Sequence, residues 1–274
     1  MNLRRLSQAL ALAVVSSGIS FAVLRVIQHR EGYKDTPILP GQKWHVHDSD
    51  RPYPKEVTPG AKMGDAPSDA VVLFDGTDLS KWTQGTGRRS GAPKWMVRDG
   101  YVQVAPGTGN LVSKEKFGDC QLHIEWQEDP SVTGHSQERG NSGVFLMGVF
   151  EVQVLDSYKD TTYADGQAGA IYGQWPPLVN PIRPEGQWNV YDIVFTAPKW
   201  NGGKLVEPAY ETIFFNGVLV HNHQKLNGPS AHRAILPYSD PVSEGPILLQ
   251  DHGPKEPLRF RNIWVRRLKD YDQP

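Results

Sequence analysis

Cysteine is nearly absent from this chain, which has 274 residues and a single thiol, Cys120. One cysteine cannot form an intrachain disulfide, and it cannot supply the paired thiolates of a zinc ribbon or an iron–sulfur cluster. An excess of charge is also missing, because 29 basic and 30 acidic residues leave a formal net charge of -1. No overall field attracts a nucleic acid, so we expect no nucleic-acid partner.

Long amphipathic helices are missing as well. Beyond the N-terminal segment no helical period lasts longer than two turns, whereas 27 glycines and 22 prolines divide the chain into short runs. Asn216-Gly217, between two runs of β-branched and aromatic residues, is a strong hairpin signal. We therefore predict one all-β domain over residues 71–270, an antiparallel β-sandwich of the jelly-roll type. The β-type runs are Val71–Phe74, Tyr101–Val104, Cys120–Trp126, Gly143–Leu155, Trp188–Thr196, Thr212–Phe215, Val218–His221, Pro246–Gln250 and Arg259–Arg267.

The first residues have the order of an export signal. Arg4 and Arg5 precede an apolar stretch from Leu6 to Ile27, as in a charged region followed by a hydrophobic one. Residues 1–30 are therefore predicted to be a cleaved signal peptide or an uncleaved signal anchor. We expect a periplasmic or secreted protein, with anchoring in the inner membrane as the alternative.

Residues 31–70 are predicted to form a proline-rich tether, because prolines interrupt every regular period there. Within this segment His45 and His47 share one side of an extended stretch. They could ligate a metal, or they could belong to a short edge strand or docking patch packed by Trp44.

Polar side chains recur in pairs on the predicted strands. Because residues two apart on a strand share a face, Glu151 and Gln153 point away from the core that Val152 and Val154 enter. A sheet face lined with Gln, His and Glu near aromatic residues suits the hydroxyls and the apolar ring face of a sugar, whereas a merely solvated face is the alternative. The other pairs of this spacing are Gln250 with His252 and His123 with Glu125. The aromatic residues, which are either stacking platforms or loop anchors, are Tyr172, Trp175 and Trp200.

Ordered strings spread over Val71–Leu268 carry a family resemblance. They are Leu73–Trp82, Gly140–Leu146, Phe150–Ser157, Gly169–Gly173, Trp188–Ile193, Asn216–His221, Leu226–Pro229, Gly245–Gly253 and Arg259–Trp264. Together they resemble the 3-keto-disaccharide hydrolase family, formerly a domain of unknown function. The resemblance implies a concanavalin A-like jelly roll that is exported in bacteria. It also implies action on glycosides whose sugar carries a ketone at C3, either as a hydrolase or as a 1,2-lyase paired with a hydratase.

The chemistry of such a substrate defines the groups that are needed. A C3 ketone acidifies the C2 hydrogen, so a base can remove that proton and the C1 glycosidic oxygen can leave by β-elimination. Water addition then completes a net hydrolysis.

The path requires a base, an electrophile at the ketone and an acid for the leaving group. His221 or His252 suits the base, because free imidazole titrates at about pH 6.5. Glu151 and Glu125 are candidates to orient the imidazole, to protonate the leaving oxygen or to bind a cation. The expected substrate-binding residues are Gln153, Gln250, Asn141, Arg259, Tyr172 and Trp175.

Cofactors and alternative functions stay open at the level of sequence. Histidine and carboxylate groups on adjacent strands suit a divalent cation such as Mn²⁺, Ca²⁺ or Zn²⁺, but no ligand spacing identifies one. The expected partner is a small glycoside or an oligosaccharide, and a non-catalytic lectin-like module would bind the same ligands. A retaining glycosidase with two carboxylates about 5 Å apart is disfavoured, because Glu151-x-Gln153-x-Leu155 lacks the second carboxylate.

Overall fold

The computed structural model describes residues 31–87, 90–253 and 257–272. These residues belong to two compact units. Residues 56–269 form the larger unit, and the residues up to 55 with those from 270 onward form the smaller one. The predicted export signal over residues 1–30 lies outside the described residues. In the part that the structure describes, no helix has the length and apolar character needed to cross a membrane.

The smaller unit is a turn-rich segment tied to the C-terminal residues of the chain. An isolated β-bridge joins Ile38 to His45. Asp272 accepts hydrogen bonds from Trp44 Nε1 at 2.9 Å and from Arg51 Nε at 2.6 Å, so the tryptophan of the histidine segment is held in place. Over residues 31–87, 90–253 and 257–272, no three His, Cys, Asp or Glu side chains come together as metal ligands.

The larger unit consists of antiparallel β-strands, which confirms the predicted all-β class. The strands are β1 Val71–Phe74, β2 Trp82–Gln84, β3 Met96–Arg98, β4 Tyr101–Gln103, β5 Leu111–Phe117, β6 Cys120–Gln127, β7 Ser142–Leu146, β8 Phe150–Val154, β9 Asn189–Thr196, β10 Lys199–Asn201, β11 Lys204–Glu207, β12 Tyr210–Phe215, β13 Val218–Lys225, β14 Gly245–Leu249 and β15 Arg259–Arg267. An eight-stranded sheet has the order β13-β12-β9-β6-β15-β4-β3, with β1 also paired to β15. A five-stranded sheet has the order β2-β5-β14-β7-β8, and β10 and β11 form a separate hairpin.

The two sheets pack face to face through apolar side chains. The rings of Phe150 in β8 and Phe195 in β9 lie 5.6 Å apart between centroids. Tyr191 in β9 donates its hydroxyl to the backbone carbonyl of Gln153 in β8 at 2.7 Å. Burying an aromatic side chain such as Trp126, which is 0% exposed, stabilises the fold by about 1.5–3 kcal/mol. This apolar core fixes the register of the five-stranded sheet, whose opposite face is therefore available for polar groups.

Two hairpins show how turn residues delimit the strands. Asn216 and Gly217 adopt φ angles of 50° and 78° between β12 and β13, as the hairpin signal predicts. Met147 and Gly148, with φ of 53° and 73°, divide the predicted run Gly143–Leu155 into β7 and β8. Treating that run as continuous was wrong, because Gly148 is a turn residue although apolar residues flank it on both sides.

Candidate active site

The pairing of β8, β7 and β14 brings polar groups together on the face of the five-stranded sheet that turns away from the core. Val152 and Val154 belong to the core, so Glu151 and Gln153 project from the other face. Gln153 lies opposite Gly143 of β7 in the strand register. The backbone N–H of Gln250 donates to the Gly143 carbonyl at 3.0 Å, which continues the same row across β14. We call Glu151, Gln153, Gly143 and Gln250 the site floor.

Gly143 leaves the space into which the Glu151 side chain leans. A β-carbon at residue 143 would collide with Glu151 Oε1 and would lie 2.6 Å from Cε2 of the Phe145 ring. Phe145 is the direct cross-strand partner of Glu151. The lack of a side chain at Gly143 therefore allows the carboxyl group to lie against the sheet above this residue.

The carboxyl group of Glu151 is protonated at neutral pH. Glu151 is 6% exposed, and its carboxyl oxygens make no hydrogen bond with the described residues. Burial without a compensating partner raises the pKa of this carboxyl to about 8. Glu151 can therefore donate a proton, as a general acid must at the pH of a neutral medium.

Two amide oxygens beside this acid are buried without a partner. Gln153 Oε1 and Gln250 Oε1 have no hydrogen-bond partner among the described residues. A buried acceptor left unsatisfied costs roughly 1–3 kcal/mol, so such atoms commonly mark a place for a ligand or water. Both oxygens are hydrogen-bond acceptors, and the hydroxyl groups of a sugar are matching donors.

Gln137 holds the amide of Gln153 and is a site residue that the sequence analysis missed. Its Oε1 accepts from Gln153 Nε2 at 3.0 Å, and its Nε2 donates to Thr162 Oγ1 at 3.0 Å and to the Gly166 carbonyl at 2.9 Å. Asn141 Nδ2 donates to the Gln137 carbonyl at 2.8 Å. Asn141, predicted to bind substrate, therefore supports Gln137 and is not one of the residues of the site floor.

A cavity of about 640 Å³ opens beside Tyr172, a neighbour of Glu151 at the edge of the sheet. A β-bridge pairs Ile171 with Val152, and the Tyr172 N–H donates to the Glu151 carbonyl at 3.0 Å, so Tyr172 lies beside Glu151 on the edge of the sheet. The phenol of Tyr172 is 3.1 Å from the Tyr163 hydroxyl and 2.9 Å from His232 Nδ1. Burial raises the pKa of Tyr172, which keeps the phenol protonated. The cavity is lined by Tyr163, Asp165, Tyr172, His232, Arg233 and Ile235.

His252, Trp175 and Trp200 do not line the cavity. His252 follows Gln250 after β14. Burial and the charge of His232 lower the pKa of its imidazole, and the charge of Asp251 partly offsets this effect.

Trp175 Nε1 donates to the Lys225 carbonyl at 2.9 Å, which ties down a loop. Trp200 packs on Tyr238, with ring centroids 6.3 Å apart. Of the aromatic candidates, Tyr172 is the one that lines the cavity.

Glu125 and Arg259 lie on the opposite side of the sandwich. Both project from the outer face of the eight-stranded sheet, where Arg259 pairs with Asp129 at 2.6 Å and Glu125 with Arg261 at 2.7 Å. Burial acts to raise the pKa of Glu125, but hydrogen bonds from His123, Asn262 and Arg261 outweigh it and lower the value to about 2. The structure does not bring Glu125 or Arg259 together with Glu151.

His221 is buried on the core side of β13 and is not part of the floor. It lies opposite the core residue Ile213, and its Nε2–H donates to the Gly169 carbonyl at 2.9 Å. Burial lowers the pKa of the imidazole to about 4. The ring is therefore neutral at physiological pH and supports the segment that precedes Tyr172.

Substituting His221 with glutamine is expected to make the protein more resistant to acid. As the pH falls from about 6.5 towards 4, the side chain of His221 binds a proton in the unfolded chain. In the native protein it stays neutral over this interval, because its pKa is lowered to about 4. Stability is lost over this interval, by up to about 3 kcal/mol. Glutamine does not titrate and keeps a donor for the Gly169 carbonyl. Urea unfolding at about pH 7 and about pH 5 measures the difference; equal losses in both proteins would contradict this account.

The fold and the site together define a class of protein. An antiparallel β-sandwich with a buried acid and unpartnered amide oxygens, and with an aromatic cavity beside Tyr172, suits a carbohydrate-active enzyme. Residues 69–266 match the 3-keto-alpha-glucoside-1,2-lyase-like domain, and the chain belongs to that family. The resemblance seen in the sequence strings is thereby confirmed.

Solved structures agree with this assignment. A protein from Parabacteroides distasonis, provisionally classed as a glycosyl hydrolase, is 45% identical with a TM-score of 0.75; the match covers 84% of this chain and all 100% of that one. Two further proteins of the same description and organism are 19% and 18% identical, with TM-scores of 0.53 and 0.52. They cover 73% of this chain and 94% and 99% of their own, and they show the fold alone. No curated protein matches the chain.

Proposed function

We propose that this protein cleaves 3-keto-glycosides by removing the C2 proton and eliminating the C1 substituent, with hydration of the product completing a net hydrolysis. The observation that carries the proposal is the buried Glu151 carboxyl group on the same sheet face as Gln153 and Gln250, whose amide oxygens have no partner among the described residues. Membership of the family of 3-keto-alpha-glucoside-1,2-lyase-like domains supports the same chemistry.

The reaction assigns separate tasks to the floor residues. When a base takes the C2 proton, the bonding pair forms a C2=C3 enolate and negative charge develops on the ketone oxygen. The enolate then reforms the ketone, a C1=C2 double bond forms, and the C1–O bond breaks. Glu151 protonates the departing oxygen, which gives a free alcohol and a 3-keto-2-hydroxyglucal. The Gln153 and Gln250 amides hold the sugar hydroxyls.

The floor differs from that of a retaining glycosidase. Such enzymes use two carboxyl groups about 5 Å apart, one of them as a nucleophile. Here the residue that shares a face with Glu151 on β8 is Gln153, an amide that cannot attack the anomeric carbon. A single acid suits an elimination, in which the ketone supplies the activation that the second carboxylate would otherwise provide.

We also propose that the protein is exported to the periplasm or secreted. Arg4 and Arg5 followed by the apolar stretch from Leu6 to Ile27 support this location. Expression of the full chain in a bacterium, fractionation and N-terminal sequencing of the product would test it. A full-length protein in the cytoplasmic fraction would overturn the proposal.

The activity is tested with a matched pair of substrates. The purified protein is incubated with a 3-keto-glucoside and with the same glucoside carrying a C3 hydroxyl, and the products are followed by mass spectrometry. We expect the aglycone and a dehydrated or rehydrated keto-sugar from the first and no product from the second. Saturable binding of both without any product would overturn the proposal in favour of a lectin-like module. Equal cleavage of both would overturn the elimination route.

A further inference from the structure

A loop between β13 and β14 carries His232 to the cavity and is fixed by contacts just before this residue. The hydroxyl of Ser230 accepts from the Glu151 N–H at 3.0 Å, and the Ser230 N–H donates to the Val149 carbonyl at 2.9 Å. Gln174 holds the start of the same loop, because its Nε2 donates to the Gly228 carbonyl at 2.9 Å. His232 therefore lies two residues from a direct backbone anchor on the strand that carries the acid.

The imidazole of His232 is oriented by a chain of two phenols. Its Nδ1 lies 2.9 Å from the Tyr172 hydroxyl, which lies 3.1 Å from the Tyr163 hydroxyl. When Nδ1–H donates to Tyr172 and Tyr172 donates to Tyr163, Nε2 is left unprotonated. This nitrogen forms no hydrogen bond with any residue that the structure describes, and the ring lines the cavity. A nitrogen base held by its second nitrogen is the usual geometry of an imidazole general base.

His252 lacks these features. Its imidazole has no hydrogen-bond partner in the described ranges, and it lies in the segment that follows β14. Its charge state responds to His232, so the two rings lie near each other at the rim of the site. Proximity alone leaves the ring free to rotate, whereas proton abstraction from carbon requires a base held at a fixed distance and angle.

We propose that His232 is the general base that removes the C2 proton of the bound 3-keto sugar and that Tyr172 is the residue that positions it. The inference rests on the proposed function and adds the identity of its base. Nε2 takes the proton and the imidazole becomes an imidazolium, while the C–H bonding pair enters the enolate. The imidazolium returns its proton to solvent after the alcohol leaves with the proton from Glu151, and water restores the Glu151 proton, so charge and atoms balance.

The test uses a substrate analogue that separates proton abstraction from cleavage. A 3-keto-1,5-anhydro sugar has no leaving group at C1, so a base can only exchange its C2 hydrogen for deuterium in heavy water. We expect wild type to catalyse this exchange and His232→Asn to lower its rate by about 100-fold or more. His223→Asn is the matched control, because His223 is exposed on β13 and stacks on Tyr210. The control should exchange at the wild-type rate, and both variants should keep the wild-type melting temperature.

Tyr172→Phe distinguishes positioning from a structural role. Loss of the phenol oxygen removes the partner that holds the imidazole in a fixed orientation. We therefore expect kcat to fall by about 10-fold with a smaller change in KM. An unchanged kcat, or equal changes in kcat and KM, would contradict positioning.

The outcomes separate the two proposals. Wild-type cleavage of the 3-keto-glucoside together with undiminished exchange in His232→Asn overturns the assignment of the base and leaves the proposed function standing. A larger loss in His252→Asn than in His232→Asn assigns the base to His252 and overturns the inference as well. Absence of both cleavage and exchange in the wild-type protein overturns the proposed function and the inference together.

Discussion

Replacing Glu151 with glutamine is expected to lower kcat/KM for a 3-keto-glucoside by about 100-fold or more without unfolding the protein. Glutamine has nearly the same shape and stays neutral, so it fits the space above Gly143 that the protonated acid fills. It cannot deliver a proton to the departing oxygen. Exchange at C2 of the analogue without a leaving group should survive, because that step needs the base and not the acid.

The pH dependence of kcat/KM and of stability in the wild-type enzyme is a second test of the role of Glu151. Burial raises the pKa of Glu151 to about 8, so the active protonated form is lost as the pH rises through this value, and kcat/KM should fall with it. Stability follows the same sign, because between pH 4.5 and about 8 the unfolded chain releases a proton that the native state retains. Wild type should therefore lose stability relative to Glu151→Gln as the pH rises through this interval.

The matched control for this variant is Glu207→Gln. Glu207 is an exposed carboxylate on the β10–β11 hairpin, paired with Lys199 at the surface. Its loss should change neither turnover nor the pH profile, since exposed ion pairs contribute about 0–1 kcal/mol. Full turnover by Glu151→Gln, with a basic limb unchanged from wild type, would remove Glu151 from the mechanism.

Strand parity predicts the direction of the side chains within a strand, and here it succeeds. The alternation in β8 places Val152 and Val154 in the core and Glu151 and Gln153 on the other face, as the structure shows. The Asn216-Gly217 hairpin is likewise decided by local chemistry. Such features depend on neighbouring residues alone, which is why the sequence suffices for them.

Parity does not tell which side of the sandwich carries the cavity. His123 and Glu125 share a face, as their spacing requires, but that face belongs to the eight-stranded sheet. At His221 the pairing of β12 and β13 shifts register around Ile213, so the alternation of residues no longer indicates which face of the sheet a side chain of β13 occupies. β5 escaped prediction because three charged residues, residues 114–116, interrupt its apolar pattern, and its place depends on pairing with β2 and β14.

The residues that sequence reasoning missed lie outside the strands, Gln137 in the short 3-10 helix Ser136–Glu138 and His232 in a loop. Gln137 and His232 follow no sequence period, and each is held in place by a distant segment. Gln137 donates to the Gly166 carbonyl, and the loop that carries His232 is anchored to Glu151 through Ser230. The turn residues Asn227-Gly228-Pro229 before His232 mark a loop but not its position. Only the tertiary structure brings the loop to the acid.

Replacing Gly143 with alanine is expected to reduce kcat/KM by about 100-fold through a single added methyl group. The new β-carbon would collide with the Glu151 carboxyl group and the Phe145 ring, so both side chains must move out of place. Neither obstacle is backbone, and residue 143 has no positive φ, so the fold should survive with a loss of about 1–3 kcal/mol. Gly91→Ala is the matched control, because a β-carbon at residue 91 meets nothing within 4 Å.

A double-mutant cycle decides whether the methyl group acts through Glu151. If Gly143→Ala displaces the acid, adding Glu151→Gln in the same chain should cost little more activity than either change alone. Losses that multiply would show that residue 143 acts on another part of the site, and wild-type turnover by Gly143→Ala would show that the floor tolerates a displaced carboxyl group. The strong coupling that we expect would place the single acid of the mechanism in the space that one glycine leaves open.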